Sequence, residues 1–343
     1  MLKTTLKISL YPLSILYGLV STLKNYLYNT NIFHVKKLPC KVISIGNITT
    51  GGSGKTPTTE FLALYLQSIG KNVGVVSRGY RRSSKNVKLV TDGNNKPDSW
   101  EQYGDEAFLL SQNLNSIPIA VGESKYEAGL KITSEFDIDV IIIDDGFQHR
   151  SLHRDLDIVL INSKDTPKTH KPLPLGNLRE KINGLERSDL IVYTKTNLHN
   201  NLNYLKNLLK DVNVEKINST LEIKSTLIGQ NKQKIDRADI ISKNIYLISA
   251  IGDTSGFKKT VQKLEVKIVG HSKFIDHFKF KVSDLQKAQK DAKELCANYI
   301  ITTEKDLVKM TGIDFEIPIY ALRAEMRFAP ANKLENKINN LFI

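Results

Sequence analysis

Cysteine is nearly absent from the chain: its 343 residues include two, Cys40 and Cys296, far apart and in no metal-ligand spacing. That excludes a disulfide framework and a cysteine-built zinc site, and it fits a reducing compartment. Also missing is a hydrophobic run that could cross a bilayer, since the uncharged stretch at 8–23 is shorter than the ~20 residues a spanning helix needs. No internal repeat or low-complexity tract interrupts the sequence, so an ordinary folded protein is expected, long enough for two domains. Acidic residues are in short supply, 36 against 49 Lys and Arg, for a formal net charge of +13. Such an excess calls for an anionic partner: nucleic acid, an acidic membrane surface or a phosphorylated substrate. Nucleic acid is not the expected one, because the chain has no recognisable binding module and no interleaving of aromatic and basic residues.

The deficit of acid is complete at the N-terminus, where residues 1–29 contain none. On a helical wheel Lys7, Ser14, Gly18, Ser21 and Asn25 share one small or polar stripe. Leu6, Leu13, Leu16, Val20, Leu23 and Leu27 share the other side. Pro12 starts or kinks this helix. Its broad apolar face, with Tyr11, Tyr17, Tyr26 and Tyr28 as amphipathic anchors and lysines at both flanks, suits a helix lying in a membrane interface. No small-residue cleavage site follows, which argues against a signal peptide. A helix packed on the protein's own core is the alternative.

Beyond it, β-branched runs alternate with helical stretches: strands at 42–45, 73–77, 117–121, 140–144, 158–161 and 190–193, and helices from 55, near 105–114 and near 124–134. This order predicts a parallel sheet with helices on both faces. The continuous apolar run VIIID at 140–144 belongs in a buried central strand. A smaller α/β pattern follows, with strands at 245–250, 265–269 and 299–303 and a helix at 283–296. Two alternating stretches, 219–229 and 319–328, are expected to pair as a connector. The division is therefore an N-terminal helix (1–30), a phosphate-loop domain (31–218), a connector strand (219–229), a smaller domain (230–318), and a return strand with a terminal helix (319–343).

The stretch GNITTGGSGKTP at 46–57 lies between a strand and a helix, as a phosphate-binding loop requires. Gly51, Gly52, Ser53 and Gly54 let backbone amides turn toward a polyphosphate, Lys55 can reach the β- and γ-phosphates, and Thr56 can ligate Mg²⁺. One position departs from the usual pattern: Thr49 stands where glycine is expected. A partner carboxylate is needed at the end of another strand, and Asp144 and Asp145 in VIIIDDGFQHR supply it. To orient or deprotonate a nucleophile, the candidates are Asp105, Glu106, His149 and His277. The residues alone do not rank them.

Taken together, PLSILYGLV (12–20), VISIGNITTGGSGKTP, VVSRGYRR (75–82), GDEAFLL (104–110), DDGFQHRSLHRDLDIVLI, PLGNLRE (174–180), FIDHFKF (274–280) and TTEKDLVK (302–309) resemble the tetraacyldisaccharide 4'-kinase family, the lipid A 4'-kinases of Gram-negative bacteria. They occur in the family's order and cover nearly the whole chain. The family's own loop has the form G-N-x-T-x-G-G-x-G-K-T, so Thr49 belongs to it. The resemblance implies transfer of the ATP γ-phosphate to the 4'-hydroxyl of a lipid A disaccharide 1-phosphate at the cytoplasmic face of the inner membrane, by a peripheral or monotopic protein. It implies a cleft between two α/β domains, with ATP and Mg²⁺ as cofactors and an anionic membrane surface as partner. By the same resemblance Asp105 is the catalytic aspartate and His277 the histidine paired with it. Lys55 and Thr56 serve ATP and Mg²⁺, and Asp144 and Asp145 the metal. Glu106, Arg179 and Glu180 lie near the reacting groups, and Arg78, Tyr80, Gln148 and His149 fall in matching motifs. The cations of RGYRRSSK, Arg82 and Lys85 among them, could meet the acceptor's 1-phosphate or lipid headgroups.

Two positions depart from the family: Lys125 where arginine is usual, which exchanges a bidentate fork for a point charge, and Phe278 where many relatives carry a polar residue. The competing reading is a membrane-associated P-loop ATPase switch. It expects a second lysine early in the loop, where Asn47 and Ile48 stand, and leaves FIDHF and TTEKD without a purpose.

Overall fold

The computed structural model describes residues 2–310 and 313–343, with the side chains of the first helix from residue 10 onward. In chain order the strands are β1 (Lys41–Asn47), β2 (Val73–Ser77), β3 (Lys88–Thr91), β4 (Ile119–Val121), β5 (Val140–Asp144), β6 (Leu156–Asn162), β7 (Leu190–Thr194) and β8 (Lys216–Ile223). They continue with β9 (Thr226–Gly229), β10 (Lys234–Asp236), β11 (Asn244–Ser249), β12 (Lys267–Lys273), β13 (Tyr299–Thr303), β14 (Ile319–Leu322) and β15 (Ala324–Ala329). The helices are α1 (Leu2–Asn29), α2 (Lys55–Ser68), α3 (Asp105–Asn113), α4 (Lys125–Glu135), α5 (Leu202–Leu208), α6 (Thr254–Gln262), α7 (Val282–Glu294), α8 (Glu304–Leu307) and α9 (Ala331–Asn339).

One sheet has the order β15-β8-β7-β6-β1-β5-β2-β4-β3, the other β10-β9-β14-β13-β11-β12. In the larger sheet the period of two along β1 and β5 sorts side chains between layers. Ile43, Ile45, Val140 and Ile142 pack with Leu62 and Leu66 of α2, while Val42, Ile141 and Ile143 pack with Ala128 and Ile132 of α4. Burial on both faces is why VIIID reads as an unbroken apolar run. Strand β1 lies between β5 and β6, parallel to both, with Ile45 opposite Asp144. The chain runs from β1 to β2 on one side and from β6 to β7 on the other, so β1 and β6 flank a switch point that opens a crevice beyond the strand ends.

Several expectations need correction. The larger sheet is not wholly parallel, since β3 runs antiparallel to β4 and β15 antiparallel to β8. The stretch 219–229 is two strands, β8 and β9, in different sheets, and 319–328 is likewise β14 and β15. The expected pairing survives in this form: Ala324 to Ala329 pair with Ile223 to Asn218, and Tyr320 and Ala321 with Gly229 and Ile228. A two-stranded ribbon thus crosses between the sheets, with Lys224 N donating to Arg323 O at the crossing (3.0 Å).

Pro12 lies inside α1 and does not start it. The polar stripe of this helix faces the protein: Ser14 Oγ donates to Pro172 O (2.8 Å), Ser21 Oγ to Arg179 O (3.2 Å) and Asn25 Nδ2 to Glu180 Oε2 (3.1 Å). Gly18 faces Pro172. Leu13, Ile15, Leu16, Leu19, Val20 and Leu23, each more than half exposed, lie on the outward side. The helix does pack on the protein, then, but through the side that a core helix would expose. Lys7 and Leu6 carry side chains outside the described residues. No helix among the described residues is long and apolar enough to cross a membrane.

Candidate active site

The phosphate loop leaves β1 and is fixed before its glycines begin. Thr50 N donates to Asn177 O and Arg179 N to Ile48 O (both 2.8 Å), while Thr49 bridges Leu178. Thr49 is buried and its hydroxyl donates to Asp165 Oδ2 (3.2 Å). Backbone bonds thus hold the loop to the 177–179 segment, and the threonine hydroxyl adds a tie to Asp165 that a glycine could not make. At the far end Gly54 has φ 91°, a left-handed conformation that admits glycine readily, and it starts α2. Asn47 Nδ2 donates to Ser53 Oγ (3.0 Å), so the position where a switch ATPase would carry its early lysine holds a buried amide serving the loop itself.

Asp144 and Asp145 end β5 beside this loop, in different electrostatic surroundings. Asp144 is buried, accepts from Ser77 Oγ (3.2 Å), and leaves Oδ1 without a partner. Burial, reinforced by Glu106, pushes its carboxyl up to about 6. Asp144 and Thr56 both line the cavity between the units, and the unpartnered Asp144 Oδ1 is an oxygen donor of the kind Mg²⁺ takes. Burial also opposes ionisation of Asp145, but Lys55 (3.6 Å) and a guanidinium contact from Arg179 (2.8 and 2.9 Å) hold it well below the usual carboxylate range. Lys125 lies beneath the pair, 2% exposed, with Nζ donating to Asp144 O (3.0 Å). Burial lowers its ammonium to about 8, with Asp144 and Asp145 opposing.

Across the crevice, α3 begins with Asp105 and Glu106, and the loop after β12 brings His277, at φ 57°, over them. His277 Nδ1 is 2.9 and 3.1 Å from the two oxygens of Asp105, and its Nε2 is 3.1 Å from Lys305 Nζ. An ammonium only donates, so Nε2 accepts and Nδ1–H donates to Asp105. Lys305 also donates to Glu106 Oε1 (2.9 Å). Burial pushes the Asp105 carboxyl up, but His277, Lys305 and Lys309 outweigh it and hold the group ionised below its ordinary value.

A cavity of about 710 Å³ lies among these groups, with Asp105 and Lys125 outside its wall. Its wall includes Gly51 to Thr56, Arg78, Tyr80, Glu106, Asp144, Asp145, Gln148, His149, Arg179 and His277. Burial lowers His149 to about 4, so its imidazole is neutral at physiological pH. Glu180 is not on the wall. It is 3% exposed and bonded to Arg187 (2.6 and 2.8 Å), Gln148 (2.7 Å) and Asn25, behind the Arg179 side chain that reaches Asp145. Phe278 also faces away, packed against Phe274 and Phe280, which explains why an apolar side chain is tolerated there. The residue reading assigned no part to Lys305, Ser77, Lys195 or Asp253, which the structure brings to the site. Lys305 lay in the TTEKD motif, but only the fold places it between two carboxylates and an imidazole.

The family model for tetraacyldisaccharide-1-P 4'-kinase (LpxK) matches residues 6–342. The chain belongs to this family. A tetraacyldisaccharide 4'-kinase of Bdellovibrio bacteriovorus is 36% identical over 303 residues, covering 88% of each chain. The Aquifex aeolicus protein of that name is 32% identical over 337 residues, 98% of this chain and 99% of the other. Among solved structures, the "apo" form of LpxK from Aquifex aeolicus in complex with ATP superposes with a TM-score of 0.80 at 30% identity, over 98% of this chain and all of that one. The chain is accordingly an ATP-dependent tetraacyldisaccharide 4'-kinase of lipid A biosynthesis, and the ATPase-switch reading falls away.

Proposed function

We propose that Asp105 is the general base of this kinase and that the larger and smaller α/β units, residues 31–218 and 230–318, are domains that meet around the reaction. The 4'-hydroxyl of the acceptor gives its proton to the Asp105 carboxylate as its oxygen bonds to the γ-phosphorus, and the bond to the bridging β–γ oxygen breaks. His277, held by Lys305 in the Nδ1–H tautomer, keeps the carboxylate oriented. Backbone amides of Gly51 to Gly54, with Lys55, hold the transferred group. Asp144 and Thr56 would hold Mg²⁺, which would supply positive charge to offset that developing on the transferred group. Arg179 on Asp145 fixes the second carboxylate beside Lys55, and Arg78 and Tyr80 face the acceptor.

The outward face of α1 would rest in the anionic cytoplasmic leaflet of the inner membrane, with the cations of RGYRRSSK toward headgroups or the acceptor's 1-phosphate. What supports the whole reading is one contact, His277 on Asp105 across the crevice that the phosphate loop opens. The test is purified protein with Mg²⁺-ATP and detergent-dispersed tetraacyldisaccharide 1-phosphate, followed by mass spectrometry. One added phosphate is expected with wild type and none with Asp105→Ala. A folded Asp105→Ala protein that turns over normally overturns the assignment of the base.

A further inference from the structure

A second group of buried charge adjoins the phosphate loop, and the chemistry above makes no use of it. Its centre is Asp253, 1% exposed, which precedes α6 and accepts from Gly256 N and Ser255 Oγ (both 3.1 Å). Three groups from the larger unit converge on this one carboxylate: Lys195 (2.9 Å), Lys164 (3.2 Å) and His199 (3.3 Å).

Two of them also hold backbone. Lys195 Nζ donates to Gly52 O (2.8 Å) and Lys164 Nζ to Gly252 O (2.9 Å). Gly52 O accepts a further bond from Asn162 Nδ2 (2.9 Å), and Ser53 O one from Thr194 Oγ1 (2.8 Å). The two backbones are nearly in contact: a Cβ built on Gly252 would stand 2.8 Å from Gly52 N. Lys195 itself has φ 59°, an uncommon backbone state for a residue with a side chain, at the end of a buried strand.

We propose that Lys195 is a positioning residue for phosphoryl transfer, tying the Gly52 carbonyl of the phosphate loop to Asp253 so that the loop takes its nucleotide-holding shape only when the two units are closed. The inference rests on the reading of this loop as the ATP site. The orientation of the 52–53 peptide decides where the Ser53 amide points, here to Gly51 O (2.9 Å), and Lys195 and Asn162 grip the carbonyl oxygen of that peptide. Asp253 in turn holds the ammonium of Lys195 in place, and it arrives only with the smaller unit. If the closed form becomes rarer, apparent affinity falls by the same factor as its population.

The experiment measures Mg²⁺-ATP binding by calorimetry, kcat and KM by the phosphotransfer assay, and the separation of the units by nitroxide pairs on Cys296 and Ser134→Cys in a Cys40→Ser background. Asp253→Asn and Lys195→Met are each expected to weaken Mg²⁺-ATP binding about tenfold, lengthen the label distance, and leave kcat at saturation within about threefold. Lys195→Arg, which can keep both bonds, should restore binding, and the double variant should be no worse than either single one because the two act as a unit. Lys55→Met serves as the control for the site itself. If Lys55→Met abolishes binding while Asp253→Asn and Lys195→Met bind like wild type at an unchanged label distance, the latch is overturned and the ATP site stands. If Lys55→Met binds like wild type, the site reading fails first. Losses from the two latch variants that multiply in the double variant would also overturn the coupling. Asp253→Asn changes no volume and carries the test should Lys195→Met fold poorly.

Discussion

Lys305 and Asp105 do not touch, yet His277 joins them: its Nε2 meets the ammonium at 3.1 Å and its Nδ1 the carboxylate at 2.9 Å. The tautomer of the imidazole is therefore fixed from the side away from the carboxylate, and α8, α3 and the loop after β12 each supply one member of the chain.

Removing the members should rank them by their distance from the reacting proton. Asp105→Asn is expected to lower kcat by roughly 10³-fold, within the range general bases contribute, and His277→Ala by less. Lys305→Met should act through the imidazole, lowering kcat and changing the pH–rate profile with KM for ATP nearly constant. Steady-state kinetics over pH on each variant checks this, and an Asp105→Asn enzyme with full kcat would refute it.

Lys125 should impose an alkaline limb. Burial brings its ammonium to about 8, so it loses charge as pH rises through that value, and one of the cations facing Asp144 and Asp145 goes with it. The unfolded chain binds more protons at this lysine between about 8 and its ordinary value, so the group makes the fold more stable, not less, across that window. Activity should therefore drop above pH 8 while thermal stability holds. Lys125→Arg, which stays charged, should remove the limb.

The raised Asp144 carboxyl predicts competition between protons and Mg²⁺. As pH falls through about 6 the carboxyl takes up a proton, and the apparent Mg²⁺ requirement should climb several-fold, with excess Mg²⁺ restoring rate. Titrating Mg²⁺ at several pH values tests it. A requirement flat from pH 5 to 7.5 would remove Asp144 from the metal site.

Glu180→Ala should behave as a structural lesion. It leaves the Arg187 guanidinium without its partner and releases Asn25 of α1, a loss of about 3–5 kcal/mol on the scale of broken buried pairs. Denaturant unfolding should register that loss, with kcat of the folded fraction changed far less than in Asp105→Asn.

For α1, replacing Leu16, Leu19 and Leu23 by glutamate should move the protein off anionic vesicles in sedimentation without lowering its melting temperature, since all three are exposed. Replacing Ser14 and Ser21 by leucine should do the reverse. Unchanged partitioning of the glutamate variant would mean that another surface meets the bilayer.

Much of this was legible in the sequence because local pattern and tertiary position agreed. VIIID and GGSGKT stand where strand ends meet at a switch point, and each carries its own signal. The connector was legible only in part. Only three successive polar residues, Lys224, Ser225 and Thr226, interrupt the alternation, with no glycine or proline to mark the passage from one sheet to the other, which long-range pairing sets. Helix α6 has a buried face with Phe257, Thr260 and Val261, but it is short and Gly252 and Gly256 bracket its start and read as loop. Glu180 looked like a site residue because it follows Arg179, but its main partner is seven positions on and its burial comes from packing against α1. Lys195 and Asp253, far apart in the chain, carry no shared pattern.

Tyr17 gives α1 a second meaning. Its hydroxyl donates to Arg179 O (3.0 Å) and its ring lines the cavity, so the reaction chamber and the apolar outer face are two sides of one helix. On the proposed placement of that face in a leaflet, an acceptor held there by its acyl chains would not have to be extracted into water to reach Asp105. Encounter then becomes a search in a plane, and the concentration that sets the rate is acceptor per unit of interface. At fixed total acceptor, diluting it with inert detergent or lipid should slow turnover as though substrate had been removed.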